Sequence, residues 1–266
     1  MTDISITIHS KDGRELAACT GSGSSYVNLV YEAEYQEGDT ITVRAEHASH
    51  LVLQLDDVLQ PAAVYFSEST YCYQIPFGEK RFSYNPKTFS GSMHMLRARY
   101  ATRAEILQYR NIAYNSHDTA ASTTCFPHAS ANIETRGESV FAARNAIDGN
   151  TANCSHGNWP YESWGINRDP EAELYLNFGR PVTVDKLVLV TRADFPHDNY
   201  WKQASVTFSD GSEMSLSMKR STEPHEFVFE PKQITGLTLH KLIKDDTDPS
   251  PFPALTQLEV YGQDSL

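Results

Sequence analysis

Basic residues are in short supply: 22 lysines and arginines face 34 aspartates and glutamates, a formal net charge of −12. A nucleic-acid phosphate backbone or an anionic membrane surface would be repelled by such a chain, so neither is its main partner. Cysteine is scarcer still. Cys19, Cys72, Cys125 and Cys154 lie far apart with no C-x-x-C spacing, which removes zinc motifs and a dense disulfide framework and leaves reduced, half-buried thiols. No apolar run approaches the roughly 20 residues of a membrane-spanning helix. The N-terminus MTDISITIHSKDGRELAAC has no basic stretch followed by an unbroken apolar one, so a cytoplasmic location is expected. Nucleophile elbow, H-E-x-x-H, P-loop and dinucleotide fingerprint are all missing, which weighs against the commonest catalytic chemistries.

What remains is a chain with 40% hydrophobic and 11% aromatic residues, enough to build a core over 266 positions. Apolar and polar residues alternate in ISITIHS near the start, TITVRAE at 40–46, LVLQLDD at 51–57, ASVTFSDGSEMSLSM at 204–218, HEFVFEP at 225–231 and QLEVYG at 257–262. That period of two predicts strands with one wet face, and the Asp-Gly pair inside 204–218 predicts a hairpin. Only ATRAEILQYRNIA, residues 101–113, has a helical period, with Thr102 and Glu105 at capping-box spacing. It marks a change in the character of the chain. The expected architecture is all-β: two tandem antiparallel β-sandwiches joined by a short helix, a first domain over 1–104 and a second over 105–266, with the boundary near 105–112.

The second half carries a resemblance. The ordered set of ARNAIDGNTANCSHGNW, AELYLNFGRPVTVDKLVLVTR, WKQASVTFSDGS and LTQLEVYG is similar to the discoidin or coagulation-factor type C domain, and most closely resembles the family 32 carbohydrate-binding modules of bacterial glycan-active proteins. The resemblance covers about residues 110–262. It implies a discoidin-like jelly roll of eight antiparallel strands whose loops at one end bind sugar, often beside a structural calcium. Carried over residue by residue, it implies calcium ligands at Asn145, Asp148, Asn150, Asn153, Thr256 and Gln257. Two of these depart from the family pattern: Asn153 stands where threonine is usual and Gln257 where glutamate is usual. One formal negative charge then remains unless Glu259 turns toward the site, and fewer carboxylates mean weaker calcium binding. An Asp-Gly turn held by asparagine side chains without a metal is the alternative.

The stretches CSHGNWPYESWG (154–165) and TRADFPHDNYW (191–201) then become neighbouring end loops crowded with rings and hydrogen-bonding groups. A pyranose has an apolar C–H face that suits an aromatic ring and an equator of hydroxyls that suits Arg, Asp, Asn and His. The candidate carbohydrate-binding residues are His156, Trp159, Tyr161, Arg192, Asp194, His197 and Asn199. Arg192 beside a carboxylate suits an acidic sugar, or simply pairs with Asp194 across a turn. The resemblance also implies that Trp164 and Trp201 belong to the core rather than to a ligand site, and Phe195 and Pro196 fit a role in shaping the loop. The expected function is non-catalytic carbohydrate binding. The alternatives are a polysaccharide lyase or other glycan-active enzyme using His156, Tyr161, Asp194 and His197 as acid and base, or a protein–protein interaction module.

The first half offers little chemistry. YCYQIPFGEKRFSYNPKTFSG (71–91) is rich in rings, but alternation of Tyr71, Tyr73 and Ile75, and of Phe82 and Tyr84, predicts strands facing a core more readily than a second ligand groove. A role in orienting the binding domain, or in contacting a protein partner or a second copy as a homodimer, is left open.

Overall fold

Strand alternation predicted for the first half is realised in the protein, whose structure is a computed structural model describing residues 3–21 and 26–265. Eight strands form the N-terminal unit: β1 (Ile4–His9), β2 (Glu15–Gly21), β3 (Tyr26–Tyr31), β4 (Thr40–Ala45), β5 (Ser49–Gln54), β6 (Ala62–Phe66), β7 (Thr70–Gln74) and β8 (His94–Tyr100). They make one sheet in the order β2-β1-β4-β7 and a second that runs β6-β5-β8-β3. Ile4, Ile6 and Ile8 from one sheet and Leu51, Leu53 and Val64 from the other share a single core with Tyr71 and Tyr73. The rings of 71–75 are therefore core, as their alternation predicts. The Phe82–Tyr84 alternation is not a strand: Gly78–Ser83 forms a 3-10 helix that leaves Phe82 59% exposed and its neighbour Tyr84 buried.

The expected helix is a single turn. In α1 (Arg103–Ile106) the Thr102 hydroxyl accepts from the Glu105 amide while Glu105 reaches back to the Thr102 amide, so the capping box is real. Beyond it the chain straightens, because Arg110 turns back to bond the carbonyls of Glu105 and Ile106, and β9 (Arg110–Asn111) joins the last strand. A second departure concerns the expected domain limits, whose outermost positions, 1 and 266, lie outside the described residues. β10 (Cys125–Phe126), which falls in the second half, adds to the edge of the N-terminal β6, and Cys125 lies in the N-terminal core. The polar stretch 115–124 serves both units: Ser116 and His117 bond Gln60 and Leu55 of the first, while Asp118 holds His128 and Ala129 of the second.

The C-terminal unit is built from β11 (His128–Ala131), β12 (Trp164–Gly165), β13 (Leu174–Thr191), β14 (Trp201–Phe208), β15 (Glu213–Ser217), β16 (His225–Lys244) and β17 (Ala254–Asp264). β13 and β16 are long enough to serve two layers. Leu174–Asn177 of β13 lies between β11 and the Gly236–Leu239 part of β16, which continues to β14 and β15. Val182–Leu189 lies instead between β17 and the earlier part of β16. The break between Asn177 and Val182 turns β13 from one layer to the other, at the L-x-F-G motif. Gly179 there has φ +66°, and a Cβ on it would stand 2.4 Å from the Phe126 ring, which leaves no room for another residue. Between the layers Trp164 and Trp201 are fully buried with Leu187, Leu189, Val206 and Leu258, so both tryptophans are core residues. The predicted hairpin is present, with Val206 opposite Met214. Among the described residues no helix is long and apolar enough to cross a membrane, and all four cysteines are free.

Buried polar groups join the two units. Asp264 at the end of β17 accepts from His50 of β5 at 2.9 Å and from Arg110 at 3.3 Å, and also bonds Arg180. His117, fully buried, accepts from the Leu55 amide at Nε2 (3.1 Å), which places its proton on Nδ1, facing the Ser116 hydroxyl at 3.0 Å; Ser116 in turn donates to the Gln60 carbonyl.

Candidate functional site

β13 ends at Thr191, and the next residue anchors the loop end of the C-terminal sandwich. The Arg192 amide donates to the Ala254 carbonyl at 3.0 Å, and its guanidinium, only 3% exposed, donates to the carbonyls of Tyr161 (3.2 Å) and Ser155 (3.4 Å) and bonds Nδ1 of His156. Its Nε lies 3.4 Å from Asp198, whose carboxylate also accepts from the Asp194 amide and from Nδ1 of His197. One buried arginine and one buried aspartate therefore hold the loops 154–165 and 191–201 together. Asp198 performs the pairing that the sequence assigns to Asp194.

The two imidazoles pack against each other, with ring centroids 4.1 Å apart and planes tilted by 31°. His156 accepts at Nδ1 from Arg192, so its Nε2 carries the proton; His197 gives its Nδ1 proton to Asp198. Burial, then the charge of Arg192 and the ring of His197, lowers the pKa of His156 below its ordinary value. The pair thus leaves its two Nε2 atoms, one of them an N–H donor, as hydrogen-bonding groups of the kind a sugar hydroxyl engages. His197 also stacks on Phe252 (5.6 Å, 13° between planes), and Tyr161 meets His156 edge-on.

His156, Arg192, His197, Asp198 and Phe252 line a cavity of about 320 Å3, closed on the far side by Phe141, Ile166 and the exposed Arg168 and Arg136. Sequence reasoning missed Phe252, Phe141 and both rim arginines. Phe252 sits among prolines in DPSPFPAL, the only local hint of a shaped loop.

Two candidates stand elsewhere. Asn199 is fully buried: its amide nitrogen donates to the carbonyls of Asp245, Asp248 and Ser250, and its oxygen accepts from the Tyr200 amide, so it braces the 245–250 loop and has nothing left for a ligand. Trp159, 36% exposed, donates to Glu162 and lines a different cavity of about 280 Å3 between the two units, with Tyr84 and Gln60 opposite. Asp194 is half-buried beside the histidine pair.

The six residues assigned to calcium do not converge as a set. The Asn145 carbonyl, the Asp148 carboxylate and the Thr256 carbonyl do meet at one point, and Nε2 of Gln257 stands there, 2.6, 2.8 and 2.9 Å from them. Asn150 turns its amide to Glu162, and Asn153 donates to the carbonyls of Thr191 and Thr222, 38 and 69 residues along the chain. Glu259 turns to the Tyr261 hydroxyl. A separate set, His156, His197 and Asp198, brings one potential ligand atom each within 4.8 Å of the others, but Arg192 bonds His156 and pairs with Asp198 there.

No protein-family model matches the chain, and no curated protein does either. Among solved structures it is similar to chitosan-binding module 1 from a chitosanase/glucanase of Paenibacillus sp. IK-5, with 19% identity over 57% of this chain and 99% of that one and a TM-score of 0.39. It is similar to the family 32 module of C. perfringens NanJ in complex with galactose, at 20% identity over 50% and 91% of the two chains and a TM-score of 0.38. The lectin domain of lectinolysin complexed with Lewis B antigen shares 18% identity over 59% and 98%, with a TM-score of 0.43.

Proposed function

We propose that the protein binds a saccharide, without turning it over, in the cavity between the 154–165, 191–201 and 245–254 loops. The observation that carries this reading is the His156–His197 pair, an N–H donor beside a second ring nitrogen, set next to the exposed ring of Phe252. Hydroxyls need paired donors and acceptors, and a pyranose face needs a ring. A volume of about 320 Å3 lies at the low end of small-molecule sites, roughly 300–1,000 Å3, and fits a terminal sugar or a monosaccharide. Arg192 is spent on loop carbonyls, so an acidic sugar would place its carboxylate at Arg168 on the rim.

A thermal-shift screen against neutral and uronic sugars tests this, followed by calorimetry on any hit. His197→Ala removes one hydrogen bond, about 0.5–1.5 kcal/mol, and is expected to weaken binding by about 2- to 13-fold. Phe252→Ala is expected to weaken it further. A hit whose affinity neither variant changes rules out this cavity, and a sugar that is consumed during the titration transfers the reading to an enzyme.

A further inference from the structure

We propose that the side-chain amide of Gln257 replaces a bound cation in the C-terminal sandwich, locking the 145–150 loop to the last strand so that this end of the fold needs no divalent metal. Three oxygens from two stretches, the Asn145 carbonyl and the Asp148 carboxylate of one loop and the Thr256 carbonyl of the last strand, all point at one nitrogen. Convergence of this kind is what a hard cation asks of a protein, at roughly 2.3–2.6 Å for calcium. An amide nitrogen at that point bonds the same oxygens through its two hydrogens, one of them shared. The orientation of the amide is fixed by its other end, because Oε1 accepts from the Gly149 amide at 3.0 Å. Reversing it would turn a carbonyl oxygen toward three oxygens and an N–H toward an N–H, so only this orientation is allowed.

The surroundings agree with a site that has given up its metal. Asn153 donates to the carbonyls of Thr191 and Thr222 and accepts from the Cys154 thiol, and Asn150 donates to Glu162 and accepts from the Ala152 amide, so both side chains already have partners at both ends. A positive charge is supplied from within by Arg144, a buried guanidinium that bonds Asn145 Oδ1 at 3.0 Å and whose charge acts on Asp148. Gly149 lets the loop close: φ is +88°, and a Cβ would stand 2.5 Å from the Tyr114 ring. The Gln257 amide adds no charge beside two carboxylates, Asp148 and the buried Glu162, and one buried arginine, whereas calcium would add two.

The full-length protein and two variants, melted in excess EDTA and in millimolar calcium, test the proposal. The unaltered protein is expected to melt at the same temperature in both. Q257E exchanges the donor for a carboxylate: in EDTA it should melt below the parent, and calcium should raise it by several degrees, with a one-to-one calorimetric isotherm that the parent does not give. Q257M removes the amide and supplies no charge, and should be destabilised equally with and without calcium. The proposal is overturned if the parent loses stability in EDTA and regains it with calcium, if Q257M melts with the parent, or if folded Q257E ignores calcium. Should Q257E fail to fold in EDTA and fold with calcium, that too supports the exchange; should it fail in both, the parent and Q257M decide.

Discussion

Lowering the pH from 7.5 to 4.5 strikes the junction between the two units through His117. The imidazole is fully buried and must accept from the Leu55 amide, so a second ring proton would meet an N–H head-on. Burial, reinforced by the charge of Arg144, pushes its pKa down to about 3, whereas in the unfolded chain it titrates near about 6.5. Below pH 6.5 the unfolded state therefore binds the proton that the folded state refuses. Stability from this group is present in full above pH 6.5 and is lost as the pH falls, by close to 1.4 kcal/mol per pH unit. From pH 7.5 to 4.5 the loss sums to about 3 kcal/mol, a large fraction of the roughly 5–15 kcal/mol of an ordinary domain. Urea titrations at half-unit pH steps, on the parent and on His117→Gln, isolate the group, because glutamine keeps an acceptor for Leu55 and does not titrate. The difference between the two curves should narrow by about 3 kcal/mol over that span. Parallel curves would refute the buried, uncharged histidine.

Asp264→Asn should cost about 3–5 kcal/mol, because it strips the partner from the buried Arg180; denaturant melts of the two proteins measure this. Burial works to raise the Asp264 carboxyl, but the hydrogen bonds of His50 and Arg180 win and hold it well below the carboxylate range, so its contribution is present above about pH 3.9 and is lost as the pH falls further. Trp164→Ala empties a fully buried site and loses the bond to the Ile133 carbonyl, for about 3–5 kcal/mol. Trp159→Ala should leave the affinity for any saccharide hit within about 2-fold by calorimetry, since its cavity is not the one His197 lines.

Alternation carried most of the fold because half-buried strands write it directly: Ile4, Ile6 and Ile8, or Val206 and Met214 across their turn, leave no other arrangement that buries them. The lengths of β13 and β16 were not legible. Each crosses between layers at a break in register, and the two halves of a bent strand look like two strands in sequence. The helix at 101–113 was read from a capping box that exists, yet Arg110, bonded to Asp264 across 154 residues, ends it after one turn. At the site, His156 and His197, one from each crowded stretch, line one cavity. Asn199 misled because an asparagine in a polar loop looks free, and only the fold shows three carbonyls of a distant loop converging on it. Phe252 and Arg168 belong to segments without periodicity, and nothing local ties them to the histidines.

Chemical-shift mapping of the 15N-labelled protein with the best saccharide from the screen tests the central claim most directly. The account predicts that the shifts concentrate on amides of 154–168, 191–199 and 250–254 and on the His156 and His197 ring nitrogens, while the Trp159 indole N–H stays in place. Shifts centred on the groove of Trp159, Tyr84 and Gln60, or on the N-terminal sandwich, would contradict it.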